Sequence, residues 1–249
     1  MGLPMASGSP VTIEETTVSS VRLVRTLALA GAIAGLVIVV VYGWTQPRIQ
    51  AYQAEVLRVA VFEVLGGPER YETAFLLNGS FTTAPPAAAD TSTLERVYVG
   101  FDAAGRSVGI AVAGGEPGFQ DVIRLLFGYD PGSEEVIGMK VLEMKETPGL
   151  GDKIEKDSTF VSEFAGVATP LAAVRPARAS GAENEVEMIT GATISSKAVV
   201  EIINNRLEAL GTALATYWAS GSLAGRGESA PAGSVVEVAT GADASGGGR

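Results

Sequence analysis

Four hydroxyl side chains crowd one short stretch, EMITGATISSKAVV at residues 187–200, where Thr190, Thr193, Ser195 and Ser196 stand around the Gly191-Ala192 pair. Apolar residues beyond Thr193 recur at helical spacing, which places the hydroxyls at a helix start. Three kinds of chemistry are open there. A hydroxyl can accept a backbone N–H and cap the helix. The unpaired N–H groups and partial positive charge of a helix start can hold a phosphate, with Gly191 and Ala192 keeping the approach uncluttered. Thr193 can also carry a phosphate as an ester. Capping accounts for one hydroxyl rather than four, and these residues alone do not choose among the three.

A second stretch, KETPGLGDKI at 145–154, directly follows the apolar run VIGMKVLEM. Pro148 fixes its own φ and denies helix to Thr147, while Gly149 and Gly151 permit backbone angles that other residues avoid. The result is a shaped loop with exposed amides, able to approach a flat or anionic ligand. Taken by itself, the same pattern also describes an ordinary Gly/Pro turn.

The composition limits the chemistry these loops can support. The 249 residues contain no Cys and no His, so thiolate metal sites, iron–sulfur clusters, disulfides and histidine general bases are excluded. No metal site is expected, and redox chemistry requires an organic cofactor. A formal charge of −10, with five lysines and none before Lys140, argues against nucleic-acid binding. A hydrophobic fraction of 47% against 18% charged residues suits a globular or membrane-attached chain.

Elements that could position the two loops follow from periodicity. Residues 26–44, TLALAGAIAGLVIVVVYGW, form an uncharged run about as long as the roughly 20 residues that cross a bilayer, with Tyr42 and Trp44 where an aromatic belt falls. The run exceeds a signal-peptide core and TQPRIQ offers no cleavage site, so an uncleaved anchor is expected. Arg22 and Arg25 before it balance Arg48 and Arg58 after it in number, and only the closeness of the first pair to the run favours a cytoplasmic N-terminus, weakly. Gly31 and Gly35 offer a close approach for a partner helix. After Pro47 an amphipathic stalk is expected, with Ile49, Tyr52, Val56, Val59 and Ala60 on its apolar face. A Pro/Ala/Thr-rich loop covers 82–93. LERVYVGF and RSVGIAVAG around DAAG, then VIRLLFGY and VIGMKVLEM around DPGSEE, read as two hairpins of an antiparallel sheet. Val199, Ile202, Ile203, Leu207 and Leu210 predict a helix of three to four turns ending before Gly211. The expected class is α+β, in four segments: a cytoplasmic N-terminal tail at 1–20, a transmembrane anchor at 21–45, a binding domain at 46–219 and a disordered tail at 220–249.

ETPGLGDKI followed some 40 residues later by TGATISS resembles the FMN-binding domain family, and within it the G subunits of Rnf electron-transport complexes. The C subunits of sodium-translocating NADH:quinone reductase share both elements. The likeness runs from about Val97 to Leu210 and includes EPGFQD and IRLLFGYDP. It implies that Thr193 carries FMN through a phosphoester made by a separate flavin transferase. It implies also that Thr190, Gly191, Ala192 and Thr193 form the attachment turn, while Glu146, Thr147, Gly149 and Leu150 line the flavin from the other loop. Glu187 stands where the attachment consensus has Asp, and Met144 where many relatives carry His. The implied function is electron relay in an Rnf-type ferredoxin:NAD oxidoreductase coupled to Na⁺ or H⁺ translocation, with no substrate turnover by this subunit alone. Partners would be the other membrane subunits, with the flavin domain on the periplasmic face of the bacterial inner membrane. Two alternatives stand beside it, a quinone-reductase C subunit and a flavin-free scaffold.

Overall fold

Along three neighbouring strands the side chains alternate between two apolar environments. Val97, Val99, Phe101, Ile110, Val112, Ile123, Leu125 and Phe127 enter one core, whereas Tyr98, Ala111 and Leu126 enter another. A sheet buried on both faces requires a cover on each side. The computed structural model, which describes residues 20–85 and 93–220, shows what those covers are.

The sheet is built from β1 (Arg70–Leu77), β2 (Ser80–Thr82), β3 (Arg96–Phe101), β4 (Ser107–Pro117), β5 (Val122–Asp130), β6 (Glu135–Glu143) and β7 (Val167–Ala168). Its order is β2-β1-β3-β4-β5-β6-β7, with every neighbouring pair antiparallel. Both expected hairpins are present as β3–β4 and β5–β6. A separate parallel pair joins β8 (Ala172–Val174) to β9 (Glu185–Glu187). The helices are α1 (Ser20–Val64), α2 (Lys153–Lys156), α3 (Ser158–Ser162) and α4 (Thr193–Ala219). The chain divides into two compact units, Met1–Ala51 and Tyr52–Arg249.

In the first unit, α1 exposes its apolar side chains all round, from Leu27 through Val41. A helix apolar on every side has no polar face to give to water. It is the one helix among the described residues long and apolar enough to cross a membrane. Pro47 lies inside α1 as a helical residue. The expected tails at 1–20 and 220–249 lie almost wholly outside the described residues, as do residues 86–92 of the Pro/Ala/Thr-rich loop.

In the second unit, the end of α1 forms part of the domain core. Ala60, Val61, Val64 and Leu65 are buried against Tyr98, Ala111 and Leu126, with Leu57 alongside. This corrects the expected stalk face, because Tyr52 is 71% exposed and Val59 47%. Of the expected face only Ala60 is buried, and the sheet takes the stripe rotated toward Leu57, Val61 and Val64. A track of glycines makes the contact flush. Gly100 pairs with Gly109, and Gly128 with Gly138, across adjacent strands. A Cβ on Gly128 would fall under 3.0 Å from the carbonyl oxygen of Val64, and one on Gly100 under 3.0 Å from Leu65 Cδ1.

Helix α4 covers the other face. It runs 27 residues to Ala219, well past Gly211, where a stop was expected. A glycine within a helix costs about 1 kcal/mol. Burying Leu214 and Tyr217 beyond it contributes roughly 1.5–3 kcal/mol per side chain and outweighs that cost. The Tyr217 ring meets Phe81 at 5.9 Å. Asn204 fixes the middle of the helix by accepting from Leu171 N and donating to Leu171 O, both at 2.9 Å.

Candidate functional site

The TGAT turn sits at the head of α4. Gly191 has φ +87°, a left-handed value that a side chain disfavours, and this reverses the chain into the helix. Ala192 occupies the N-cap with no side-chain cap, and Thr193 is the first helical residue. The four hydroxyls divide two and two. Thr190 and Thr193 are exposed, whereas Ser195 and Ser196 are buried. Ser196 Oγ accepts from Ile189 N at 3.1 Å and donates to Ala192 O at 2.9 Å. None of Thr193, Ser195 and Ser196 caps α4, because all three lie inside the first turn, where their hydroxyls cannot fold back onto its N–H groups. The N–H groups of Thr193, Ile194 and Ser195 meet no acceptor among the described residues, and neither does the Thr193 hydroxyl.

The ETPGLG loop is shaped by a residue that sequence reasoning missed. Asp152, 8% exposed, accepts from Gly149 N at 2.7 Å and from Lys156 Nζ at 2.7 Å. Gly149 has φ +78°, and Leu150 N returns to Thr147 O at 3.1 Å to close the turn. Gly151 is needed for space rather than for its backbone angle, since a Cβ there would crowd Glu146 and Ser195 Oγ. The Lys156 ammonium, followed by the Gly149 N–H, holds the Asp152 carboxyl below its ordinary value of 3.8. Its stabilisation is therefore complete above that value and lost as pH falls through the lowered one. We expect Asp152→Asn to melt below the parent protein at neutral pH and the two melting curves to converge in acid, as read by thermal denaturation across a pH series. A gap independent of pH would contradict this role.

Glu146, Thr147, Leu150 and the TGAT turn are brought together. Leu150 Cδ2 lies 3.8 Å from where a Gly191 Cβ would stand. Thr147 donates its hydroxyl to Gln120 Oε1 at 3.0 Å, which draws in the β4–β5 loop. Thr190, Gly191, Thr193, Gly149 and Leu150 are exposed around this point, while Ala192 and Glu146 are buried and Thr147 is half-buried. Glu146 therefore turns its carboxyl group inward instead of facing the opening. Ile194 next to Thr193, Leu150 in the ETPGLG loop and Phe119 in the EPGFQD loop are exposed apolar side chains. Unpaired N–H groups for a phosphate and apolar side chains for a flat ring are the two halves of a flavin phosphate. Glu187 is exposed, and its N–H donates to Glu163 Oε2 at 2.5 Å. Burial, opposed by that N–H and reinforced by the Glu187 carboxylate, pushes the Glu163 carboxyl up. Met144 packs half-buried against the core.

Fold and site together define an FMN-binding domain behind a membrane anchor, and the model of the FMN-binding domain family matches residues 118–208. The chain belongs to the family of G subunits of ion-translocating oxidoreductase complexes. It is 31% identical over 164 residues to the G subunit from Escherichia coli K12, covering 61% of this chain and 73% of that relative. The G subunit from Methanosarcina acetivorans is 29% identical over 187 residues, covering 75% of this chain and 92% of the relative. A crystal structure of Shewanella oneidensis NqrC shares the fold with a TM-score of 0.54 at 17% identity, over 64% of this chain and 99% of that one.

Proposed function

We propose that Thr193 carries FMN as a phosphoester and that this membrane-anchored subunit relays electrons within an Rnf-type ferredoxin:NAD oxidoreductase that moves Na⁺ or H⁺. The observation that carries the reading is the head of α4, where an exposed Thr193 hydroxyl without a described partner stands among three N–H groups without an acceptor, beside the ETPGLG loop. Those N–H groups and the helix dipole suit a phosphodiester at Thr193 Oγ. Leu150, Ile194 and Phe119 offer apolar surface for the ring, and Thr147 holds the β4–β5 loop beside it. The flavin, when bound, supplies the one- and two-electron chemistry that no side chain here provides. Attachment forms the Thr193 Oγ–phosphorus bond and breaks the pyrophosphate of FAD. AMP leaves and the hydroxyl proton passes to solvent or to the flavin transferase.

Mass spectrometry of the peptide containing Thr193, from protein made with its flavin transferase, should find the mass of FMN less water on that residue. An unmodified Thr193 in flavin-loaded protein would defeat the covalent assignment. In this reading the flavin domain faces the periplasm, with the remaining complex subunits as partners in the membrane. Protease added to intact spheroplasts should then degrade residues beyond the anchor, and protection of the domain would reverse that orientation.

A further inference from the structure

Three segments far apart in sequence meet at one buried carboxyl group. Glu146 Oε1 accepts from Gln120 N at 3.1 Å and Asp121 N at 3.4 Å, and its Oε2 accepts from Ser195 Oγ at 2.9 Å. Glu146 is 8% exposed and Ser195 1%. Two glycines are explained by the same group. A Cβ on Gly118 would come within 3.0 Å of Glu146 Oε1, and one on Gly151 within 3.0 Å of Glu146 Oε2. EPGFQD, ETPGLG and TGATIS therefore share one anchor, although each reads from sequence as an independent loop.

We infer that Ser195 and Glu146 form a latch that sets the Thr193 turn against the ETPGLG and EPGFQD loops, which makes Ser195 a positioning residue for the flavin. The inference rests on the reading that Thr193 bears FMN. A tether fixes one end of a cofactor and leaves its ring free to swing about the ester linkage. Electron transfer to a neighbouring centre requires a defined ring position, which the surrounding loops provide only if they are themselves fixed. Ser195 lies two residues beyond Thr193 on the same helical turn, so the Ser195–Glu146 bond fixes the tether point and both loops at once. Ser195 does not touch the reacting atoms. It acts through Glu146.

The test uses the full-length chain made with its flavin transferase. Ser195→Ala should leave Thr193 loaded but lower the fluorescence anisotropy of the attached flavin and raise its iodide quenching constant several-fold. Gly118→Ala and Gly151→Ala, which displace the Glu146 carboxyl group, should reproduce both changes. A Ser195→Ala protein that melts lower while anisotropy and quenching stay at parental values shows a merely structural serine and overturns the inference. Hydrogen exchange in a Thr193→Ala background gives a readout independent of the flavin. There, adding Ser195→Ala should speed exchange at the Gln120 and Asp121 amides, and unchanged exchange overturns the latch. If the parent protein carries no covalent flavin, the functional reading fails and the positioning role fails with it. If the parent is loaded and only the Ser195→Ala changes are missing, the latch alone fails.

Discussion

Thr193→Ala is expected to abolish the covalently bound flavin completely and to reduce electron transfer through the assembled complex to background. A denaturing gel viewed under ultraviolet light should show a fluorescent band for the parent protein and none for the variant. The loss should come from chemistry rather than from folding. Thr193 is exposed at the first position of α4, and its hydroxyl has no described partner. Surface substitutions of that kind usually change stability by less than about 0.5 kcal/mol. The variant should therefore melt with the parent, insert normally and still copurify with its partners. Thr193→Ser restores a hydroxyl at the same place and should recover part of the labelling. A flavin band that survives denaturation in Thr193→Ala would move the attachment elsewhere, with Thr190, exposed on the same turn, as the next candidate.

The largest expected loss of stability lies where the end of α1 rests on the sheet. Gly128→Ala should destabilise the domain by about 3 kcal/mol, the upper end of overpacking costs, and lower its melting temperature by roughly 6–12 °C. The new methyl would meet the Val64 carbonyl oxygen, and a backbone atom cannot swing aside as a side chain does. The end of α1 would have to lift, opening the core formed by Ala60, Val61 and Val64 against Tyr98, Ala111 and Leu126. Gly211→Ala supplies the opposite sign. Space around Gly211 is open and the residue is helical, so alanine there should stabilise by up to about 1 kcal/mol. Equal melting temperatures for the parent and Gly128→Ala would refute the flush contact.

The two hairpins and the apolar anchor were legible because their signals are local: alternation bounded by turn residues, and an uninterrupted apolar run. The pairing of TGAT with ETPGLG was legible through resemblance, and the structure brings the two together. What could not be read depended on partners distant in sequence. β1 carries RYETAFLL with only Ala74 fully buried, so it shows no clear alternation. β8 and β9 are three residues each, too short for any period. The glycines of the central strands look like weak β-formers until α1 is laid over them. Ser195 and Ser196 looked like capping residues because the motif shows hydroxyls near a helix start, and only the backbone reveals that the cap is Ala192. Glu146 looked like a flavin-facing residue, while its three bonds point inward. Asp152 had one usable signal, an acidic side chain directly after GLG that could gather the loop's own amides.

The two covers of the sheet are made at different times. Residues 52–64 are synthesised before any strand, and α4 is the last of the described elements to follow them. Ala60, Val61 and Val64 must wait for Gly128 and Gly138 before they have a surface to rest on. The ion pair between Glu95 and Arg206, 111 residues apart, can form only when α4 arrives. Thr193 opens that final helix, and Ser195 reaches Glu146 only after it docks. On the proposed attachment at Thr193, loading would come only after the last described helix has docked.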